Sequence, residues 1–415
     1  MKELYLSSGG TVRLAGERLG DGRQGMVFGV ADTDLYCVKL YLQPTPQLAR
    51  RFGALIKAPP VTWRGDAPDH LHLAWPRATV RDEERVVRGL LIPRIHGSLL
   101  VDLLVPGMRE RVLEEPTWRT NLAVAARLAR LFGRLHAAGV VVGDVSPNNV
   151  MLDRAGRVTL IDCDTVQFAH PRTGKTFPAE NFTPEYLPPE ALPNPPFPLS
   201  PGHDLFGLAI LVCQLLMEGD HPFEGVPASA GGASTVEDNI KLGNNRIVRP
   251  ERLVRRPDTM PVELLPPRVR ELAWRCFEDG RHEPDRRPSA GEWAAALGQA
   301  GFELMGCRRN PWHAYPSSLR SCVWCDRIDA GHIDHFPSPV AAPPRPRRAP
   351  AAAPQRPPGP VRPAGGKRPY PRPAPPATAR PAAPSGTSGS GLSTGLTVAL
   401  VLAAVVMLII CLAAA

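Results

Sequence analysis

Strand-like and helix-like stretches follow one another through residues 1 to about 300, and the pattern then changes twice. Thr11–Leu19 reads as a strand, a glycine-rich turn follows, and Phe28–Ala31 resumes strand character. Leu35–Leu40 is an apolar strand holding one charge, Lys39. Asn121–His136 carries Leu122, Ala125, Leu128, Leu131 and Leu135 at helical spacing and stops at Ala137-Ala138-Gly139, where glycine suits a helix end. After Val140–Val142 come a polar loop, Val150–Leu152, a turn at Asp153–Gly156 and a strand at Val158–Ile161. The mixture predicts an α+β domain over residues 1–300.

A segment bearing Cys and His occupies residues 301–336. Residues 337–392 hold Pro, Ala, Arg, Gly and Ser with almost no larger aliphatic side chain, too little apolar surface to offset the entropy of ordering. A disordered linker is expected there. Residues 393–415 turn apolar, and Gly395–Ala415 carries no charge. As a helix that stretch would be about 31 Å long against a hydrocarbon core of about 30 Å, which predicts one transmembrane helix. The nearby charges all precede it and are basic, so the positive-inside rule predicts a single-pass protein of the cell membrane with residues 1–336 in the cytoplasm. On this reading no ectodomain follows the span, and the opening MKELYLSSGG lacks the apolar core of a signal peptide.

Charge sharpens this division. The chain has 49 basic and 40 acidic residues, yet nine of the basic ones and none of the acids lie beyond Phe336. Residues 1–336 are therefore neutral, and the net +9 belongs to the tail. The high isoelectric point is no argument that the folded part binds nucleic acid; it fits a linker lying on anionic lipid. The eight cysteines show no disulfide pattern: Cys37, Cys163, Cys213 and Cys276 are isolated in apolar contexts, as suits a reducing compartment.

Three constellations carry chemistry. Gly20-Asp21-Gly22-Arg23-Gln24-Gly25, followed by Val27, could bring a hairpin backbone close to phosphate oxygens, although a hairpin without a ligand explains the same glycines. Lys39, embedded in its apolar strand, needs a charged partner, and a phosphate would serve. The second constellation is Asp144, Asn149 and Asp162, at offsets of 0, +5 and +18 in a setting of helix, polar loop, hairpin and acidic loop.

With these residues the chain resembles the protein kinase superfamily. Thr183-Pro184-Glu185-Tyr186-Leu187-Pro188-Pro189-Glu190 resembles the end of an activation segment in its Ser/Thr form, and His203-Asp204-Leu205-Phe206-Gly207 resembles the start of the large-lobe core helix. The resemblance implies a bilobal kinase-like fold acting on ATP and a protein substrate. It places Gly20, Gly22, Gly25 and Val27 around the nucleotide, Lys39 on the α/β-phosphates and Asp144 as catalytic base. Asn149 and Asp162 become ligands of Mg²⁺ (or Mn²⁺), and Arg287 a structural partner of Glu190.

The departures are specific. Val142-Gly143-Asp144 stands where most kinases show His-Arg-Asp, which removes the cation that orders a phosphorylated activation loop. Ser146 replaces the loop lysine, and Asp162-Cys163-Asp164 replaces Asp-Phe-Gly. No acid lies between Lys39 and Asp66, where a helix Glu should pair with Lys39; Gln47 is a weak substitute and Asp162 another partner. A pseudokinase scaffold or a membrane-anchored interaction platform is the alternative to an active Ser/Thr kinase.

The third constellation is Cys307, His313, Cys322 and Cys325, a donor set for a structural Zn²⁺ in a small ribbon, with His332 or His335 as alternatives to His313. Free thiols packed on the large lobe are the other reading. The union of kinase domain and Cys/His ribbon resembles bacterial kinases that often carry helix-hairpin-helix DNA-binding modules. No such module occurs here, so no nucleic-acid binding is expected.

Overall fold

The computed structural model describes residues 3–22, 24–60, 70–192, 194–195, 197–228, 235–254 and 256–339. All lie in one compact unit, Met1–Pro343. Residues 340–415, with most of the expected linker and the whole expected membrane helix, lie outside the described residues. Among the described residues no helix is long and apolar enough to cross a membrane.

The small lobe comprises β1 (Glu3–Leu6), β2 (Thr11–Asp21), β3 (Gly25–Val30), β4 (Thr33–Tyr41), α1 (Pro46–Leu55), β5 (Ala78–Arg81) and β6 (Val87–Pro93). Its strands run antiparallel in the order β1-β2-β3-β4-β6-β5, and β5 pairs back to β1 through Tyr5 and Arg81 to close a barrel. Leu4, Val12, Val38, Ala78, Val80 and Leu91 fill the interior. Strand alternation on β4 sends Val38 into that core and its neighbours Lys39 and Tyr41 out of it. Tyr41 packs with Phe52 of α1 and Leu90 of β6. Gly25 is dictated by this packing, since a Cβ there would stand 2.3 Å from the Leu40 carbonyl oxygen. Helix α1 starts on Pro46, with Thr45 accepting from the Leu48 amide at 3.2 Å.

The chain crosses to the large lobe through β7 (Ser98–Leu99), α2 (Leu100–Leu104) and α3 (Arg109–Val112). Helix α4 (Trp118–Ala137) begins three residues before the apolar pattern suggests, because Thr117 caps it by accepting from the Thr120 amide. Strands β8 (Val150–Leu152) and β9 (Val158–Leu160), which follow the Asp144–Asn149 loop, join β7 in a three-stranded sheet, and β10 (Phe168–Ala169) pairs with β11 (Thr176–Phe177). Helix α5 (Pro201–Leu216) is buried on nearly every face from Asp204 onward, as its continuous apolar sequence requires. Helix α6 (Val236–Leu242), α7 (Pro267–Trp274), a π-turn at Arg275–Asp279, α8 (Gly280–His282) and α9 (Ala290–Phe302) complete the lobe. Arg287 forks onto Glu190 at 2.7 and 2.8 Å.

The Cys/His segment folds as a hairpin, β12 (Leu304–Gly306) and β13 (Ala314–Pro316), followed by α10 (Val323–Asp329). It does not stand apart, because Val323, Trp324 and Phe336 share the large-lobe core. Trp324 meets Phe336 edge-on at 4.8 Å, and Trp118 of α4 lies 6.4 Å away. Beside them the buried ion pair of Arg109 and Glu218 is completed by His335, whose Nδ1 lies 2.9 Å from the Glu218 carboxylate.

Candidate active site and metal centre

A cleft of about 870 Å³ between the lobes is lined by Gly20, Gly22, Gly25, Val27, Lys39, Asn149 and Asp162. The structure thus gathers all seven expected nucleotide-binding residues, with Cys37, Met151 and Ile161 adding apolar surface. The glycine-rich turn is closed by the Gly22 amide donating to the Gly25 carbonyl at 2.8 Å. Asp144 sits beside this cleft. Its carboxylate accepts a hydrogen bond from the Thr183 hydroxyl at 2.6 Å, and its carbonyl accepts from the Asn149 side-chain amide at 2.9 Å. That bond occupies the Asn149 nitrogen and leaves its amide oxygen as the atom a hard cation can use. Asp162, with 42% of its side chain exposed, adds a carboxylate. The oxygen donors suit Mg²⁺.

Lys39 is 6% exposed at its side chain, so its charge must be paired. Its Nζ lies 3.2 Å from Asp162 Oδ1, and 2.9 and 3.2 Å from the two oxygens of Asp164. Asp162 is the partner the sequence suggests; Asp164 is one it does not single out. Gln47 is exposed on α1 and is not among the Lys39 partners. Burial opposes the charged form of Lys39, but Asp164 and Asp162 outweigh it and hold the ammonium above its ordinary pKa. Burial likewise opposes ionisation of Asp164, yet Lys39 and the donating Tyr41 hydroxyl bring its carboxyl below the usual range. Asp162 moves upward: desolvation and the neighbouring Asp164 exceed the pull of Lys39. Asp162 adopts φ = 56°, and its carbonyl accepts from the Thr165 hydroxyl at 3.0 Å.

The loop before Asp144 is tied from below. Asp204, fully buried at the start of α5, accepts from the Val142 amide at 2.8 Å, the Gly143 amide at 2.9 Å and His136 Nε2 at 2.9 Å. The activation segment is fastened in turn: Gln167 and Val141 exchange backbone hydrogen bonds at 2.8 and 3.0 Å, and the Gln167 side chain bridges to the Leu199 backbone. These ties hold the segment against the loop before Asp144. Ser146 is buried and caps the next turn by accepting from the Asn148 amide at 3.2 Å.

In the third constellation, Cys307, His313, Cys322 and Cys325 bring four donor atoms within 4.8 Å of one another. Cys307 and Cys325 sulfurs are 3.5 Å apart, and His313 Nδ1 is 3.6 Å from both Cys322 and Cys325. Tetrahedral Zn²⁺ with bonds of about 2.0–2.3 Å needs donor separations of about 3.5–3.8 Å. The other ring nitrogen of His313 lies 2.9 Å from Asp334, the outer partner that orients a ligating imidazole. His335 is turned away onto Glu218, so the geometry favours His313 as the fourth donor. Nothing in the sequence pattern singles out Asp334.

A small β lobe, a helical large lobe and an interlobe cleft holding Lys39, Asn149 and Asp162 define a protein-kinase-like fold. A family model described as protein kinase domain matches residues 79–296, more than half of the chain. Protein kinase YegI of Escherichia coli (strain K12) is 30% identical over 340 residues, covering 79% of this chain and 50% of YegI. Serine/threonine-protein kinase Sgk1 of Homo sapiens is 37% identical over 91 residues, 21% of this chain and 20% of Sgk1. Among solved structures, the ROP18 kinase domain in complex with AMP-PNP and sucrose aligns with TM-score 0.49 and 18% identity, over 72% of this chain and 83% of that one. The chain belongs to the protein kinase superfamily. It spans about half the length of the YegI relatives it matches. The family match starts at β5, beyond the glycine-rich turn, Lys39 and α1.

Proposed function

We propose that this chain is an ATP-dependent protein kinase acting on Ser or Thr of protein substrates, held at a membrane by residues 393–415. The observation that carries the reading is the bond from the Thr183 hydroxyl to Asp144, in which that carboxylate accepts from a hydroxyl group beside the Lys39–Asp162 cleft. Asp144 takes the proton of the substrate hydroxyl as its oxygen bonds the γ-phosphorus; the bond to the β–γ bridging oxygen breaks, and ADP leaves with that electron pair. Lys39 steadies the phosphates, and Asn149 with Asp162 would hold Mg²⁺, which would supply positive charge against the negative phosphate oxygens. Ser/Thr specificity is supported by the form of the Thr183–Glu190 segment and by the likeness to Sgk1.

Cys307, His313, Cys322 and Cys325 would hold a structural Zn²⁺ that completes the small Cys/His unit, which has little core beyond its large-lobe contact. A pseudokinase reading gains from the missing helix acid, but buried Lys39 keeps two carboxylate partners, and the metal-ligand and base positions are intact.

Incubating the full chain with labelled ATP and Mg²⁺ and hydrolysing the labelled protein tests the activity. Phosphoserine or phosphothreonine in wild type and none with Asp144→Asn is expected. Nucleotide binding without transfer would establish the pseudokinase instead. Deleting residues 393–415 should move the protein from the membrane fraction to the supernatant, and unchanged membrane association would refute the anchor.

A further inference from the structure

Helix α1, the small-lobe helix packed beside Lys39, holds no acid: its sequence is PQLARRFGAL. It turns Arg51 inward instead, 1% exposed. The Arg51 guanidinium donates from Nε to the Asp164 carbonyl at 2.9 Å, and from its two terminal nitrogens to the carbonyls of Pro178 at 2.6 Å and Val166 at 2.5 Å. A planar fork reaching three carbonyls fixes backbone direction in a way a single ammonium cannot. The clamped segment then turns the Asp164 side chain, 3% exposed, onto Lys39 and Tyr41. Those two residues are one strand period apart on β4, so they face the same side and grip one carboxylate together.

The geometry points to Asp164 as the positioning residue for Lys39, supplying from the activation segment the carboxylate that α1 lacks, with Arg51 fixing its backbone. This rests on the function proposed above. Glycine at position 164, as in Asp-Phe-Gly, would leave the buried Lys39 with Asp162 alone. Because Asp164 and Asp162 are two residues apart in one clamped turn, the lysine and the metal-ligand carboxylate are set as a unit.

A double-mutant cycle on the full chain tests this with wild type, Asp164→Asn, Lys39→Ala and both together, each checked for folding by thermal unfolding. Displacing Lys39 by about 1 Å should lower kcat on the order of 100-fold in Asp164→Asn. In the Lys39→Ala background the same substitution should add no more than about twofold, because its target is gone. A wild-type kcat in Asp164→Asn, or a full-sized loss in both backgrounds, would overturn the inference. If Asp164→Asn does not fold, Tyr41→Phe, which removes the second partner of Asp164, goes through the same cycle. A loss confined to the background that retains Lys39 again supports the pairing, and no loss or an equal one in both backgrounds again overturns it. Should wild type transfer no phosphoryl group, the proposed activity fails by itself. The cycle is then read as affinity for Mg²⁺-ATP: weakening only when Lys39 is present supports the pairing, and equal weakening in both backgrounds refutes it.

Discussion

Gly143 stands where most kinases show an arginine, and its surroundings leave no room for any side chain. Its φ is +75°, and a Cβ built on it would lie 2.4 Å from the Ala179 Cβ and 3.4 Å from Leu199 Cδ1. The backbone cannot rotate away, because the amides of Val142 and Gly143 both donate to buried Asp204. Ala179 cannot easily yield, being packed with Val141 and Leu199. For Gly143→Ala the left-handed backbone costs about 1–2 kcal/mol. The collision, against a normal carbon contact of about 3.5–4.0 Å, adds about 1–3 kcal/mol. The total of about 3 kcal/mol should lower Tm by roughly 4 °C in a body of this size. Scanning calorimetry or urea unfolding of the full chain reads it. Adding Ala179→Gly removes the collision but not the backbone cost, so the pair should recover about half. Stability of Gly143→Ala within about 0.5 kcal/mol of wild type would refute the packing argument. Restoring arginine should destabilise at least as much and confer no response to activation-segment phosphorylation.

Burial pushes the His221 imidazole down to about 4, against 6.5 for an ordinary histidine, with Arg246 adding to the effect and a bond to the Glu185 carbonyl opposing it. The unfolded chain therefore takes up this proton first as pH falls. The contribution is complete above pH 6.5 and is lost between 6.5 and about 4, amounting to about 3 kcal/mol. His221→Gln should flatten the stability–pH profile between pH 6.5 and 5, and an unchanged slope contradicts this. Arg51→Ala strands the carbonyls of Asp164, Val166 and Pro178 and should cost about 3 kcal/mol or more in urea unfolding, with little recovery in Arg51→Lys; a loss below about 1 kcal/mol speaks against the clamp. Cys322→Ser should abolish stoichiometric zinc, and Asp334→Ala should weaken zinc affinity about 10–100-fold by freeing the His313 ring. Zinc content unchanged in Cys322→Ser removes the metal reading.

Asp144, Asn149 and Asp162 are legible in the sequence because a short polar loop separates the first two and the β8–β9 hairpin separates Asn149 from Asp162. Helices α4 and α5 are legible from apolar spacing and an apolar run. The partner of Lys39 is not. Asp164 lies 125 residues from it, and only the docking of the activation segment beneath β4 shows which carboxylate arrives. The second acid of Asp162-Cys163-Asp164 is the available signal. Arg51 gives less warning still, since an arginine on an amphipathic helix ordinarily faces water. The barrel closure by Glu3–Leu6 depends on pairing with β5, which local periodicity does not report. For the Cys/His unit the cysteines are plain, but His313 is set apart from His332 and His335 by tertiary placement, which brings its ring to the three sulfurs and turns His335 onto Glu218.

Isothermal titration of the full chain with ATP, with and without Mg²⁺, in wild type and Asp162→Asn, bears most directly on the convergence of Lys39, Asn149 and Asp162 around a triphosphate. Wild type should bind ATP more tightly when Mg²⁺ is present, and Asp162→Asn should lose that dependence. Affinity indifferent to Mg²⁺ in wild type, or no binding at all, would contradict the account.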